Sequence, residues 1–308
     1  MVVFDNISKR YGVHKALDQV SFTVKKGQIL GLLGQNGAGK TTAMNIMTGC
    51  LAPTQGRVLM GGYDVLLQPG PAKRMLGYLP ETAPLYDEMT VEAYLRFACR
   101  LKNVETKQMK KHIGQVAEKT GLQDVLGRKI GNLSKGYRQR AGMAQALCGT
   151  PDVIILDEPT VGLDPRQASE MRQLILSLRG EHTVIFSSHI LSEVQSVCDR
   201  VLILHHGKVL CDNDLDALKR RENVLRAVIA GGEQTILPAL RSLQKVSRAE
   251  VIRGGEPGVT QVRLMVSEEG AERELFTLLS ALQAPLLRLQ PEENSLEDIF
   301  LQTTKEQK

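Results

Sequence analysis

Long apolar runs, paired cysteines and a strong charge of either sign are all missing from this sequence of 308 residues. No stretch approaches the ~18 apolar residues that a bilayer-spanning helix needs. Met1–Tyr11 lacks the apolar centre of a signal peptide. The expectation is therefore a chain without a membrane span or secretory leader. Its five cysteines, Cys50, Cys99, Cys148, Cys198 and Cys211, are odd in number, scattered and without a C-x-x-C pair. Such usage fits reduced, mostly structural thiols in a cytoplasm rather than a disulfide framework. The net charge of +5, from 39 basic and 34 acidic residues, is too small an excess to argue for a nucleic-acid partner. Lys107, Lys110, Lys111 and His112 cluster in a helical stretch and read as a solvated face. What is present is 42% hydrophobic and 24% charged, the composition of a globular chain with one large domain or two smaller ones.

The most informative stretch is Gly34-Gln35-Asn36-Gly37-Ala38-Gly39-Lys40-Thr41-Thr42. It has the form G-x-x-x-x-G-K-[ST], follows the apolar run Ile29–Leu33 and leads into a helix-compatible segment from Lys40 to Thr48. Glycines let successive backbone N–H groups turn inward as a nest, and the following helix adds its positive N-terminal end. Lys40 supplies a point charge for the β- and γ-phosphates, and the Thr41 hydroxyl is placed to ligate Mg2+. The pattern predicts binding of a nucleoside triphosphate. Upstream, Val2–Phe4 and Val20–Val24 read as strands of an N-terminal sheet. Tyr11 is expected in the loop between them, with its ring free to stack on a purine.

Downstream, Gly77–Glu81 ends a further predicted strand at a proline-marked loop. Thr90 is the candidate N-cap of a helix with Val91, Tyr94, Leu95 and Ala98 on one face. Residues from about 82 to 148 are rich in Lys, Glu and Gln and read as a helical subdomain inserted into an α/β core. Within it, Leu133-Ser134-Lys135-Gly136-Tyr137-Arg138-Gln139-Arg140 opens another helix. Ser134 caps that helix, and Gly136 permits close approach of an anion.

This last stretch resembles the Leu-Ser-Gly-Gly-Gln signature of ATP-binding cassette (ABC) ATPases, keeping Leu133, Ser134 and Gly136 but departing at Lys135 and Tyr137. The departure is similar to that of the ABC-2 type exporter branch, which includes gliding-motility and multidrug ATP-binding subunits. Other family motifs stand in order. Val153–Asp157 is an apolar run ending in a carboxylate, as a strand buried on both faces requires. Asp157 resembles the Walker-B aspartate that holds Mg2+, and Glu158 the catalytic glutamate that polarises the attacking water. Gly162-Leu163-Asp164-Pro165 resembles the D-loop. Val184–His189 reads as a buried strand ending at the position of the family's switch histidine, which implies contact between His189 and the γ-phosphate. Catalysis is thereby expected of Glu158, His189 and Lys40. Glu81 stands where the family commonly has a glutamine that touches Mg2+, so a charged oxygen is expected at the metal.

The resemblance covers residues 1–219. It implies a P-loop α/β cassette with a parallel core sheet, an N-terminal antiparallel sheet and the inserted helices. It further implies a head-to-tail pair of copies, each site combining one chain's Gly34–Thr42, Asp157, Glu158 and His189 with Ser134 and Gly136 of the other. Transport would need a separate membrane permease, docked near Glu81–Leu95, that holds the ATPase peripherally at the inner face of the membrane. The alternative is a soluble cassette ATPase acting on ribosomes or DNA; those usually carry two cassettes or long coiled coils, and neither is visible here. A small-molecule kinase is disfavoured by Leu133–Arg140. From 223 to 308 the order strand, helix, strand, strand, helix, strand suggests a small ferredoxin-like α+β domain. Ser295–Leu301 resembles the closing helix of drug-exporter ATPase subunits, and the extension, which carries no phosphate loop or metal-ligand cluster, is expected to be accessory rather than catalytic.

Overall fold

The computed structural model describes residues 1–215, 223–252, 258–266 and 270–292. It divides into two units, Met1–Leu215 and Asp216–Lys308.

The first unit opens with a long hairpin, β1 (Val2–Tyr11) and β2 (His14–Val24), paired from Val2↔Val24 to Tyr11↔His14. Both strands are far longer than the three to five residues legible in sequence. Register shifts between Phe4 and Arg10 interrupt the alternation of buried and exposed positions, and Asn6 and Gln19 take positive φ there. One correction follows: Tyr11 is the last paired residue of β1, not a loop residue. Next come β3 (Ile29–Leu33), α1 (Lys40–Met47), β4 (Gln55–Met60) and the short β5 (Tyr63–Asp64). The antiparallel sheet has the order β2-β1-β4-β5.

After α2 (Pro69–Arg74) and β6 (Leu76–Leu79) the chain turns helical, with α3 (Val91–Leu101), α4 (Thr106–Thr120) and α5 (Lys135–Leu147) before β7 (Val153–Leu156). Thr90 Oγ1 accepts the Ala93 N–H at 3.2 Å, and Val91, Tyr94, Leu95 and Ala98 are all buried. The unit closes with α6 (Pro165–Ser177), β8 (Thr183–Ser188), α7 (Leu191–Val197), β9 (Arg200–His205) and β10 (Lys208–Asp214).

The core sheet has the order β10-β9-β3-β8-β7-β6, with only the β9/β10 pair antiparallel. All five residues of β3 and all four of β7 are buried. Continuous apolar runs are what a parallel sheet covered on both faces demands. Because β8 lies between β3 and β7, the carboxyl ends of all three strands open on one crevice. That is where an open α/β sheet binds ligand. No helix among the described residues is long and apolar enough to cross a membrane.

The second unit runs β11 (Asn223–Ala230), α8 (Glu233–Arg241), β12 (Val246–Val251), β13 (Val259–Val266), α9 (Ala271–Ala281) and β14 (Leu286–Glu292). Its fully antiparallel sheet is ordered β12-β13-β11-β14, the ferredoxin-like arrangement. Ala227, Ile229, Val262 and Leu264 from the sheet pack with Ile236, Leu240, Leu275 and Leu279 from the helices. The expected helix Ser295–Leu301 lies outside the described residues.

Candidate nucleotide site

The loop Gly34–Thr42 leaves β3 under steric constraints that only glycine meets. A Cβ on Gly34 would lie 2.7 Å from the Leu204 carbonyl oxygen, and one on Gly39, whose φ is 106°, 2.6 Å from that of Ala16. Lys40 opens α1, yet its side chain folds back across the loop. The ammonium donates to Gly34 O at 2.8 Å and Gln35 O at 3.4 Å, and lies 3.5 Å from Glu158 Oε1. A cation only 6% exposed is thus held where loop carbonyls and one carboxylate face it.

Asp157 and Glu158 follow β7. Asp157 is 1% exposed, and its Oδ1 accepts from Ser187 Oγ at 2.6 Å. The same hydroxyl accepts the Glu158 N–H at 2.9 Å, so one β8 side chain holds both acidic residues in place. Burial raises the pKa of Asp157; the Ser187 hydrogen bond opposes this, the negative charges of Glu158 and Glu81 add to it, and Lys40 lowers it. Glu158 has φ 48°, the left-handed region that costs a residue with a Cβ about 1–2 kcal/mol. The turn aims its carboxylate between Lys40 and His189, whose Nδ1 is 2.9 Å from Oε2. A carboxylate only accepts, so in this contact Nδ1 carries the proton.

Lys40, Glu158 and His189 line an open cleft of about 490 Å³. Of the residues expected there, Gln35, Asn36, Gly37, Gly39, Lys40, Thr41 and Thr42 come from the loop, and Tyr11 from the end of β1. Glu81, Glu158 and His189 complete the far wall. Gly34 and Ala38 shape the loop without lining the cleft, and Asp157 lies behind it. Ser134 and Gly136 do not reach it. Ser134 Oγ accepts the Tyr137 N–H at the start of α5, and the space a Cβ on Gly136 would fill is taken by the Gln167 side chain, 2.6 Å away. Within one chain the signature segment therefore packs on the start of α6, apart from the cleft.

Sequence reading missed His14, Ala16 and Val161 in the cleft wall, and it missed the part played by Ser187. It also missed Glu193, 5% exposed, whose Oε2 accepts from Thr160 Oγ1 at 2.8 Å and Ser188 Oγ at 2.9 Å. That bond pair ties the segment after Glu158 to the end of β8 beside His189. An acid four residues after His189, opening a short helix, is the one sequence signal that pointed to it.

A family model described as ABC transporter matches residues 17–161. The ABC transporter ATP-binding protein NatA of Bacillus subtilis is 38% identical over 229 residues, which are 72% of this chain and 93% of that protein. The chain belongs to the ABC transporter ATP-binding proteins.

It is an ABC ATPase. Some relatives match nearly end to end. The linearmycin resistance ATP-binding protein LnrL of Bacillus subtilis is 31% identical over 99% of this chain and 98% of its own length. The bacitracin transport ATP-binding protein BcrA of Bacillus licheniformis is 33% identical over 96% and 94%. Among solved structures, the ATP-binding subunit of an ABC transporter superposes with a TM-score of 0.66 at 29% identity, over 72% of this chain and 92% of that one. The cassette MJ0796, solved as a dimer, shares the fold at a TM-score of 0.65 and 24% identity, over 70% and 99%.

Proposed function

We propose that this ABC ATPase hydrolyses ATP as a head-to-tail pair of copies and drives an ABC-2 type exporter through a separate membrane permease. The observation that carries the reading is the near end-to-end match to LnrL and BcrA, which extends past the cassette into the ferredoxin-like unit. NatA, by comparison, matches 72% of the chain. Supporting it, Ser134 and Gly136 do not line the cleft of their own chain, and Ser134 is exposed at the start of α5.

The site residues then divide the work. Gly34–Thr42 offer inward N–H groups and the Lys40 ammonium to the phosphates, and Tyr11 offers a half-exposed ring to the adenine. Thr41, Asp157 and Glu81 form a set of hard oxygen donors suited to Mg2+, which neutralises the charge developing on the β- and γ-phosphates when bound. Glu158 accepts a proton from the attacking water, and His189, hydrogen-bonded to it, holds the carboxylate in line and faces the γ-phosphate side. Closure of the pair follows from tighter ATP affinity in the closed state, and product formation removes that preference. The protein then sits at the inner face of the membrane through its permease.

The test is affinity purification of the tagged full chain from detergent-solubilised membranes. Recovery of a polytopic membrane protein whose presence changes the ATPase rate supports export. Recovery of ribosomes or DNA without such a protein would overturn it in favour of the soluble alternative.

A further inference from the structure

Outside the nucleotide cleft, one cluster brings together chemistry that the ATPase reaction does not use. Cys99 on α3, His112 on α4 and Cys148 at the end of α5 place two sulfurs and a ring nitrogen within 4.8 Å of one another. The three come from three different helices of the inserted subdomain and are 13 to 49 residues apart in sequence. Both cysteines are buried, at 0% and 1% exposure, and His112 is half-buried. From sequence His112 was grouped with the solvated lysines of α4. In the structure Lys107, Lys110 and Lys111 are exposed, whereas His112 turns inward and its Nε2 accepts the Gly149 N–H at 3.0 Å.

We infer that Cys99, His112 and Cys148 form a binding site for a thiophilic d10 cation, Zn2+ or Cu+, that clamps α3, α4 and α5 together. Three points with no separation above 4.8 Å share a centre within about 2.8 Å of each. Zinc bonds are about 2.3 Å to sulfur and about 2.0–2.1 Å to imidazole nitrogen, so closing the site takes side-chain shifts of under about 1 Å. The imidazole is neutral in this contact and has to exchange a bond to ligate an ion. Nε2 accepts the Gly149 N–H, so the proton sits on Nδ1; binding an ion displaces either that backbone donor at Nε2 or the proton at Nδ1.

Ligand softness chooses the class of ion. Two sulfurs and one imidazole select Zn2+ or Cu+ over Mg2+, Ca2+ or Mn2+, which prefer oxygen. The site is thus chemically distinct from the oxygen donors of the ATP cleft and does not compete for the same ion. Lys102, one turn beyond Cys99, interacts with Cys148 and would offset part of the charge of its thiolate. Three ligands satisfy Cu+ directly, and leave one position for water on Zn2+.

The test uses the reduced, metal-free full-length protein. Titration with Zn2+ against a chromophoric chelator, and separately with Cu+ against a Cu+-specific chelator, distinguishes the two sources. Cd2+ serves as the spectroscopic probe through its thiolate charge-transfer band in the near ultraviolet. One equivalent is expected with either Zn2+ or Cu+, together with a one-equivalent Cd2+ band. Cys99→Ser and Cys148→Ser should abolish that band and His112→Ala should weaken ion affinity at least 10-fold, while Cys50→Ser leaves both unchanged. Should the buried cysteine variants fail to fold, the unaltered protein still decides the matter. Saturation with the tight-binding ion should slow alkylation of Cys99 and Cys148 under mild denaturant at least 10-fold, measured residue by residue by mass spectrometry, without changing that of Cys50. Absence of any one-equivalent event, or a Cd2+ band that survives loss of both cysteines, overturns the assignment. So does protection equal at all five cysteines.

Discussion

Replacing Glu158 by glutamine perturbs the free site as well as the chemistry. In the free protein the carboxylate lies 3.5 Å from the Lys40 ammonium, with side-chain exposures of 10% and 7%. At an effective dielectric of about 20 the pair attraction is about 5 kcal/mol before desolvation is subtracted. Removing one partner of a buried pair costs about 3–5 kcal/mol. Lys40 keeps its bonds to the Gly34 and Gln35 carbonyls, so a smaller loss of about 1–2 kcal/mol is expected, measured against the buried-pair range. For a cassette of this size that lowers the nucleotide-free melting temperature by about 3–6 °C. ATP recovers the deficit, because its phosphates replace the missing counter-charge and no longer face Glu158. Affinity for ATP should therefore rise about 10-fold, which is about 1.4 kcal/mol. Turnover should fall about 10²–10⁴-fold with the loss of the base. Calorimetric titration with ATP, thermal melts with and without nucleotide, and steady-state hydrolysis read the three quantities. Wild-type turnover would refute the role of Glu158 as base. Unchanged melting and unchanged affinity would refute the Lys40–Glu158 pairing as the resting arrangement.

Three further outcomes follow from the same geometry. Burial raises the pKa of Asp157 above its usual 3.8, so without metal this group stabilises the fold below that value and the contribution is lost as pH rises through the folded pKa; Asp157→Asn should flatten this pH dependence in chelator and abolish hydrolysis, and an unchanged pH–stability curve would contradict the burial. Glu81 lines the cleft close enough to raise the Asp157 pKa, so Glu81→Gln should narrow the gap between ATP affinities measured with Mg2+ and with a chelator; an unchanged gap with lost response to membranes would place its role in permease docking. Deleting residues 223–308 should leave MgATP hydrolysis measurable while altering dimerisation or the response to the permease, because among the described residues the cleft is lined by those of Met1–Leu215; a truncated, folded chain that cannot bind ATP would refute an accessory role.

The nucleotide loop was legible in sequence because its parts are consecutive. Glycine at Gly34 and Gly39, Lys40 and a helix start need only local geometry to make an anion cradle. The strands β3, β7 and β8 were equally legible, since burial on both faces leaves an unbroken apolar run. The ferredoxin-like order of the second unit followed from alternating strand and helix patterns. The N-terminal hairpin was read short because its bulges break the period of two on which strand recognition depends. Tyr11 was misplaced into a loop for that reason.

What the linear chain could determine about this ABC ATPase was therefore each motif and its chemistry, taken one at a time. Only tertiary structure decided how they meet. That Ser187 holds Asp157 and Glu158, that Glu158 rests between Lys40 and His189, and that Glu193 joins Thr160 to Ser188 depend on the order β3-β8-β7. Cys99, His112 and Cys148 meet through the packing of α3, α4 and α5. The physical reason is common to both: periodicity reports which face a residue turns to its own element's surroundings, but not which distant element supplies the facing side chain.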